Sequence, residues 1–155
     1  MPVQRLKDFL DEHQVKYVVI SHSRAFTTQE IAAATHIPGK EIAKTVIVDI
    51  DGQPAMAVLP GSQKVDLALL RDALGAERVT LAKEAAFKDR FPGCDLGAMP
   101  PFGNLYGMPV YVADSLTEDE EIAFNAGSHD QLVKLAYRDF ARLVRPEVMR
   151  FAVNA

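Results

Sequence analysis

The chain has 155 residues, of which 48% are hydrophobic and 25% are charged, and its formal net charge is −4 at pH 7. This length and composition predict a single globular domain, residues 1–155, with a sizeable core, and they argue against a disordered chain. The negative net charge also argues against a histone-like nucleic-acid binder, in which an excess of Lys and Arg would make the net charge positive.

Several missing sequence features narrow the class of protein further. The N-terminus has no apolar signal region, and no stretch approaches the ~18–20 consecutive apolar residues of a membrane span. Cys94 is the only cysteine, which excludes a disulfide framework and a cysteine-rich metal site, and the four histidines show no tight ligand spacing. We therefore expect a cytoplasmic protein with no metal, no cofactor and no membrane partner.

The first quarter of the chain predicts helix, strand and helix. Apolar residues at helical spacing indicate an amphipathic N-terminal helix: Val3, Leu6, Phe9 and Leu10. Residues 16–21, KYVVIS, are rich in β-branched side chains and predict a strand. A capping-box spacing at Thr27–Glu30 opens a short helix over Ile31–Thr35, which Pro38-Gly39 stops.

The middle of the chain predicts a β-hairpin followed by a helix. Thr45–Ile50 and Pro54–Leu59 are apolar runs on either side of Asp51-Gly52, a strong turn signal. Asp66 then caps a helix that ends at Gly75.

The second half predicts shorter elements around a long irregular segment. The predicted elements are a strand at 79–81, a helix at 82–91, strands at 110–113 and 131–137, and a helix from 138 to 144. Residues 92–109 hold four of the nine prolines and four of the nine glycines, and a loop this long inside a domain is usually functional. The irregular order of strands and helices predicts an α/β domain of the mixed, α+β kind.

Lys44 is the first candidate functional residue. It stands in EIAKTVIV, at the entrance of a strand that should be central and buried. A lysine at such a place either extends its charge to the surface or faces a cleft and holds an anion there.

His129 is the second candidate, in NAGSHDQL between a glycine turn and a strand. A histidine at such a turn can carry a proton or orient a ligand, and the alternative is an ordinary surface histidine. The third candidate is the loop Gly97–Gly103, GAMPPFG, where glycines let the backbone approach a ligand closely. Its alternative is a rigid turn whose Phe102 fills the core.

Together these three features resemble one family. The lysine in AKTVIV, the GAMPPFG loop and the Gly127–His129 turn are similar to the YbaK/prolyl-tRNA-synthetase-associated domain superfamily of trans-editing aminoacyl-tRNA deacylases. The sequences GAMPPF and DEEIAFNAG look closer to its YeaK-like branch. The resemblance implies a curved mixed β-sheet of about six or seven strands flanked by helices, with a cleft on one side.

The resemblance also implies an activity, the hydrolysis of the ester that joins a wrong small amino acid (Ala, Ser, Thr or Cys) to the 3′ end of a tRNA. Positioned water and backbone oxyanion donors suffice for such an activated ester, without metal. The implied catalytic residues are Lys44, Gly127, Ser128 and His129. The implied substrate-binding residues are Phe26, Ile47, Gly97, Met99, Pro100, Pro101, Phe102 and Gly103.

The expected partner is the acceptor end of an aminoacyl-tRNA, and an aminoacyl-tRNA synthetase is a second candidate partner. The alternative function is a module that binds an RNA or nucleotide end, or regulates a partner protein, without catalysis. DNA is not expected as a partner, because the helix after Thr27 carries no Arg or Lys.

Overall fold

The computed structural model of the chain describes residues 2–155. Over this range the chain forms five α-helices and ten β-strands. The helices are α1 (Pro2–Glu12), α2 (Thr28–Thr35), α3 (Leu67–Leu74), α4 (Glu84–Phe87) and α5 (Tyr137–Val144). The strands are β1 (Tyr17–Ser21), β2 (Ala43–Ile50), β3 (Gln53–Pro60), β4 (Gln63–Val65), β5 (Val79–Leu81), β6 (Val110–Ala113), β7 (Glu121–Asn125), β8 (Gln131–Ala136), β9 (Glu147–Met149) and β10 (Ala152–Asn154).

A five-stranded mixed sheet forms the centre of the molecule, in the order β5-β2-β3-β6-β9. β2 and β3 make the predicted antiparallel hairpin, β5 pairs antiparallel with β2, and β6 and β9 add in parallel. A second, antiparallel sheet has the order β1-β8-β7, and β10 pairs with β4. A parallel bridge between Ile42 and Ala123 joins the two larger sheets beside the start of β2.

Three apolar clusters hold these layers together. The largest lies where one face of the central sheet meets the β1-β8-β7 sheet, and α1 and α5 close it with Leu6, Leu10 and Phe140. α3 covers the opposite face of the central sheet with Leu70. α2 covers the outer face of the three-stranded sheet with Ile31.

The predicted class, a mixed α/β domain, is confirmed. The structure has ten strands over the described range, more than the six or seven expected, because β4, β7, β9 and β10 form in addition to the six strands placed from the sequence. β4, β9 and β10 have only three residues each, so an alternating pattern is hard to recognise in them.

Local sequence signals explain where the helices begin and end. Thr27 and Glu30 make the reciprocal capping box at the start of α2, and Asp66 accepts a hydrogen bond from Leu69 N–H at the start of α3. The helix predicted over residues 82–91 is shorter. It lacks a side-chain cap and gives way to a 3-10 turn at Lys88–Arg90, before Pro92 disfavours helical geometry at the preceding residue.

The described part of the chain contains no helix long and apolar enough to cross a membrane. The same residues contain no group of three or more His, Cys, Asp or Glu side chains arranged to hold a metal ion.

Candidate active site

Two tight turns from distant parts of the chain are bonded to each other. The first turn is Asp95–Ala98, closed by a bond from Ala98 N–H to Asp95 C=O, and Gly97 has a φ of +83° in it. The second is the turn around Gly127, whose φ is +103°. Asp95 N–H donates to Gly127 C=O at 2.8 Å, and Gly127 N–H donates to Ala98 C=O at 2.9 Å. Two of the three predicted motifs therefore form one unit.

His129 is held firmly at the end of this unit. Its side chain is only 7% exposed, which excludes the surface alternative. Its Nε2 lies 2.8 Å from the Leu96 carbonyl oxygen, and since a carbonyl only accepts hydrogen bonds, Nε2 carries the proton. Nδ1 is buried and has no hydrogen-bond partner among the described residues. In the neutral ring Nδ1 is therefore a free acceptor.

An exposed aromatic side chain lies beside this histidine. The ring of Phe26 is 4.7 Å from the His129 ring, centroid to centroid, yet Phe26 remains 62% exposed. The guanidinium of Arg24 lies 5.4 Å from the Phe26 centroid and forms an ion pair with Asp95 at 3.3 Å. An exposed aromatic ring next to a cation is a surface on which a nucleic-acid base can stack.

A cleft of about 470 Å³ opens next to this surface. Its walls include both partners of the Arg24–Asp95 ion pair and residues of the Gly127 turn. The lining residues are Val3, Ser21, His22, Arg24, Gly93, Asp95, Ala126, Gly127, Ser128, Asp130 and Gln131. The His129 side chain is not part of this wall; its ring lies on the Phe26 side of the turn.

Lys44 lies at the start of β2, away from the cleft walls. It is half-buried, its Nζ is 3.4 Å from the Gly61 carbonyl oxygen, and it forms no ion pair with any residue in the range 2–155. Burial lowers the pKa of Lys44 below its usual value. A half-buried ammonium with no carboxylate nearby is suited to hold an anion.

One short segment links Lys44 to His129. Ala25 N–H donates to the His129 carbonyl at 3.0 Å, Phe26 contacts the His129 ring, and Thr28 packs against Gly61. Gly61 in turn accepts the hydrogen bond of Lys44. A substrate that follows this segment would pass both candidate residues.

The remaining predicted binding residues are buried side chains. Met99 and Phe102 belong to the main core, and Phe102 packs against Phe124 and Phe140 with ring centroids 5.5 Å away. Pro100 and Pro101 are buried as well. Ile47 is 4% exposed in the same core, and because it is three residues from Lys44 along a strand, the two side chains point to opposite faces. These residues shape the fold around the site and do not line the cleft.

The backbone donors expected for an oxyanion are partly engaged within the protein. The N–H of Gly127 donates to Ala98, and the N–H of His129 donates to the Asp95 carboxylate at 3.2 Å. Over residues 2–155, the N–H groups of Gly97 and Ser128 donate no hydrogen bond to protein. These two are the donors that remain for a developing negative charge.

Sequence reasoning did not select two residues of this region and gave a third, His22, no role in the reaction. Asp95 and Arg24 meet across 71 positions of the chain, a pairing that no local pattern signals. His22 lines the cleft, and its Nδ1 lies 2.7 Å from the Ser23 carbonyl, which leaves Nε2 without a partner among the described residues. From the sequence, His22 is a candidate for the rim of a pocket only.

Comparison with known proteins identifies relatives over most of the chain. The family model of the aminoacyl-tRNA editing domain matches residues 22–143. The chain is 31% identical to the multifunctional Ser/Thr-tRNA deacylase ProXp-y of Escherichia coli (strain K12), over 98% of this chain and 93% of that protein. It is 26% identical to the prolyl-tRNA editing protein ProX of Acetoanaerobium sticklandii, over 88% of this chain and 86% of that one.

A solved structure shares the fold along nearly the whole length. It is described as a candidate trans-editing enzyme for prolyl tRNA synthetase, and the comparison has a TM-score of 0.83 at 18% sequence identity, covering 99% of this chain and 98% of that chain. The matched residues 22–143 include Lys44, the GAMPPFG loop and the Gly127–His129 turn, so the family predicted from these motifs is confirmed. The chain belongs to the aminoacyl-tRNA editing domain family.

Proposed function

We propose that this protein is a trans-editing deacylase, which hydrolyses the ester between a small amino acid and the 3′ end of a mischarged tRNA. The observation that carries the proposal is the state of His129. Its Nε2 proton is held by the Leu96 carbonyl, and its Nδ1 is left as an acceptor beside the exposed ring of Phe26. This nitrogen is buried in the unbound protein. Once a local movement beside Phe26 exposes it, it can accept a hydrogen bond from the terminal ribose or from the attacking water.

The other residues are proposed to act by charge and by backbone donors. The ammonium of Lys44 holds the anionic 3′ end or the ester carbonyl. The free N–H of Ser128 or Gly97 stabilises the oxyanion that forms when water attacks. Since an aminoacyl ester is already activated, positioning these groups supplies much of the necessary rate enhancement.

The polar residues in the wall of the cleft favour a substrate that carries a small, hydroxylated amino acid. Ser21, Ser128, Asp130 and Gln131 contribute polar groups to its wall, and the E. coli relative is named for Ser- and Thr-tRNA. A site that hydrogen-bonds a hydroxyl discriminates strongly against an analogue that lacks it, whereas one methylene is worth only about 1–3 kcal/mol. We therefore expect Ser-tRNA and Thr-tRNA to be hydrolysed faster than Ala-tRNA or Cys-tRNA.

The test is a deacylation assay with four mischarged tRNAs, carrying Ala, Ser, Thr and Cys. Hydrolysis of at least one, lost in Lys44→Ala and kept in the matched variant Lys64→Ala on β4, supports the proposal. Full tRNA binding without hydrolysis of any ester would contradict it and favour an RNA-end binding module. Assays with and without the cognate synthetase of each tRNA test whether a synthetase is a partner, which remains a prediction.

The exposed ring of Phe26 gives a second prediction for the same assay. If the terminal base stacks on this ring, Phe26→Ala removes a contact worth about 1–3 kcal/mol and raises KM roughly 5- to 150-fold, with a smaller change in kcat. The fold should be unaffected, because the ring is mostly in solvent. Leu81→Ala, which truncates another exposed apolar side chain on β5, is the control, and an unchanged KM in Phe26→Ala would reject stacking.

A further inference from the structure

We propose that Asp95 is a positioning residue of the editing site, one whose carboxylate fixes His129 relative to the Gly97 turn. The inference rests on the proposed function, because it assigns a role in the reaction to a residue that touches no substrate atom in our account. Contacts from three parts of the chain converge on this side chain.

Asp95 joins three separate segments. Its main chain makes two hydrogen bonds, donating to Gly127 C=O at 2.8 Å and accepting from Ala98 N–H at 3.0 Å. Its Oδ2 accepts from the His129 N–H at 3.2 Å and from the Arg24 guanidinium at 3.3 Å. The segment before α2, the Gly97 turn and the Gly127 turn are thus all bonded to one residue.

The two bonds to Oδ2 differ in what they contribute. The Arg24–Asp95 pair is solvent-exposed, with side-chain exposures of 55% and 36%, and ion pairs of this kind contribute little to stability. The bond from His129 N–H is different, because it satisfies a backbone donor next to a 93%-buried imidazole. We therefore assign the function of Asp95 to this second bond.

Asp95 also affects the state of the imidazole, through the residue that follows it. Leu96, the residue after Asp95, provides the carbonyl that holds the Nε2 proton of His129. With the carboxylate bound to the His129 main chain and the next carbonyl bound to its ring, both ends of the histidine are fixed by adjacent residues. Loss of the first bond leaves the His129 turn held by main-chain hydrogen bonds alone, and a shift of about 1 Å in a reacting group can cost roughly 100-fold in rate.

Two substitutions of Asp95 separate these contributions. Asp95→Ala removes both bonds, and we expect kcat to fall roughly 10- to 100-fold with KM changed less than about threefold. Asp95→Asn keeps an oxygen that can accept from the His129 N–H but removes the charge that pairs with Arg24, so it should recover most of the lost kcat. Arg24→Met removes the ion pair and the cation beside Phe26 but keeps the bond from His129 N–H, so it should leave kcat above that of Asp95→Ala. Asp72→Ala, which breaks the exposed Arg71–Asp72 pair at 3.3 Å, is the matched control.

A second measurement does not depend on activity. In the folded wild-type protein, long-range ¹H–¹⁵N spectra of the His129 ring should show a single Nε2–H tautomer, and Asp95→Ala should show a mixture or a shifted equilibrium. Equal kcat in Asp95→Ala and wild type, or equal losses in Asp95→Asn, Asp95→Ala and Arg24→Met, would overturn the proposal. An unchanged tautomer in Asp95→Ala would overturn it too. If the wild-type protein hydrolyses no ester, the proposed function fails, while the ring spectra still decide whether Asp95 fixes the histidine.

Discussion

Replacing Lys44 with methionine should lower kcat/KM for deacylation by about 100- to 1000-fold, the usual loss when a group that stabilises developing negative charge is removed. The same substitution should make the protein more resistant to heat. Lys44 is half-buried and its Nζ has the Gly61 carbonyl as its hydrogen-bond acceptor at 3.4 Å. Methionine keeps the length of the side chain and removes the desolvated charge.

The sign of the stability effect follows from the pKa of Lys44. Burial lowers this pKa in the folded protein. Below the lowered pKa, Lys44 is protonated in both the folded and the unfolded protein, and folding bears the full cost of burying the charge. Between the lowered pKa and about 10.4, the value for an unfolded lysine, the unfolded chain binds more protons, so wild-type stability rises with pH. The advantage of Lys44→Met should therefore be largest near neutral pH and shrink above the lowered pKa.

The measurement is a pair of thermal melts, at pH 7 and at pH 10, beside the deacylation assay. We expect Tm at pH 7 to rise by about 1–4 °C. Water still screens the partly exposed ammonium, which limits the gain to about 1 kcal/mol for a domain of this size. Lys64→Met on β4 is the control for loss of an exposed lysine. A variant with unchanged kcat/KM would show that the charge of Lys44 takes no part in the reaction, and a lower Tm would show that its Gly61 contact outweighs its desolvation.

The predicted fold was accurate where local signals are strong. The Asp51-Gly52 turn joins β2 to β3 as predicted, and the side chains of the Thr27–Glu30 capping box and of the Asp66 cap bond neighbouring backbone. Such signals depend on a few adjacent residues, so they can be recognised in the sequence without knowledge of the fold. The strands β4, β9 and β10 depend instead on pairing with distant partners, as Ala152 pairs with Val65, so nothing in their three residues predicts them.

The motifs of the site could be predicted from the sequence, but the hydrogen bonds that join them could not. Family resemblance selected the Gly97 loop and the Gly127 turn, and family membership is confirmed. The hydrogen bonds that join them run between main-chain atoms, and the pattern of side chains in the sequence does not predict such bonds. The pocket walls expected at Met99 and Phe102 illustrate the same limit, because an apolar side chain in a loop can face either a ligand or the core, and here both face the core.

Gly103, predicted to bind substrate, is expected to have its largest effect on stability. A Cβ atom at this position would lie 2.6 Å from Cγ2 of Val110 and still closer to the Met108 carbonyl oxygen, far inside van der Waals contact. The backbone there has little freedom to move, since Tyr106 N–H and Met108 N–H both donate to the Gly103 carbonyl at 2.9 Å. The loop lies so close to the start of β6 that only glycine can occupy this position.

Gly103→Ala should therefore destabilise the protein by about 2–4 kcal/mol, the result of overpacking combined with disturbed hydrogen bonds. Urea unfolding measures this loss, and Gly39→Ala is the control, because the closest atom to a Cβ there is Thr28 Cγ2 at an ordinary 3.7 Å. A Gly103→Ala protein as stable as the wild type but with a raised KM would instead indicate that this glycine makes room for the substrate. Since Phe102 and Met108 on either side of the contact are buried in the main core, we expect the loop to act as a support that fixes the Asp95–Ala98 turn and, through it, His129.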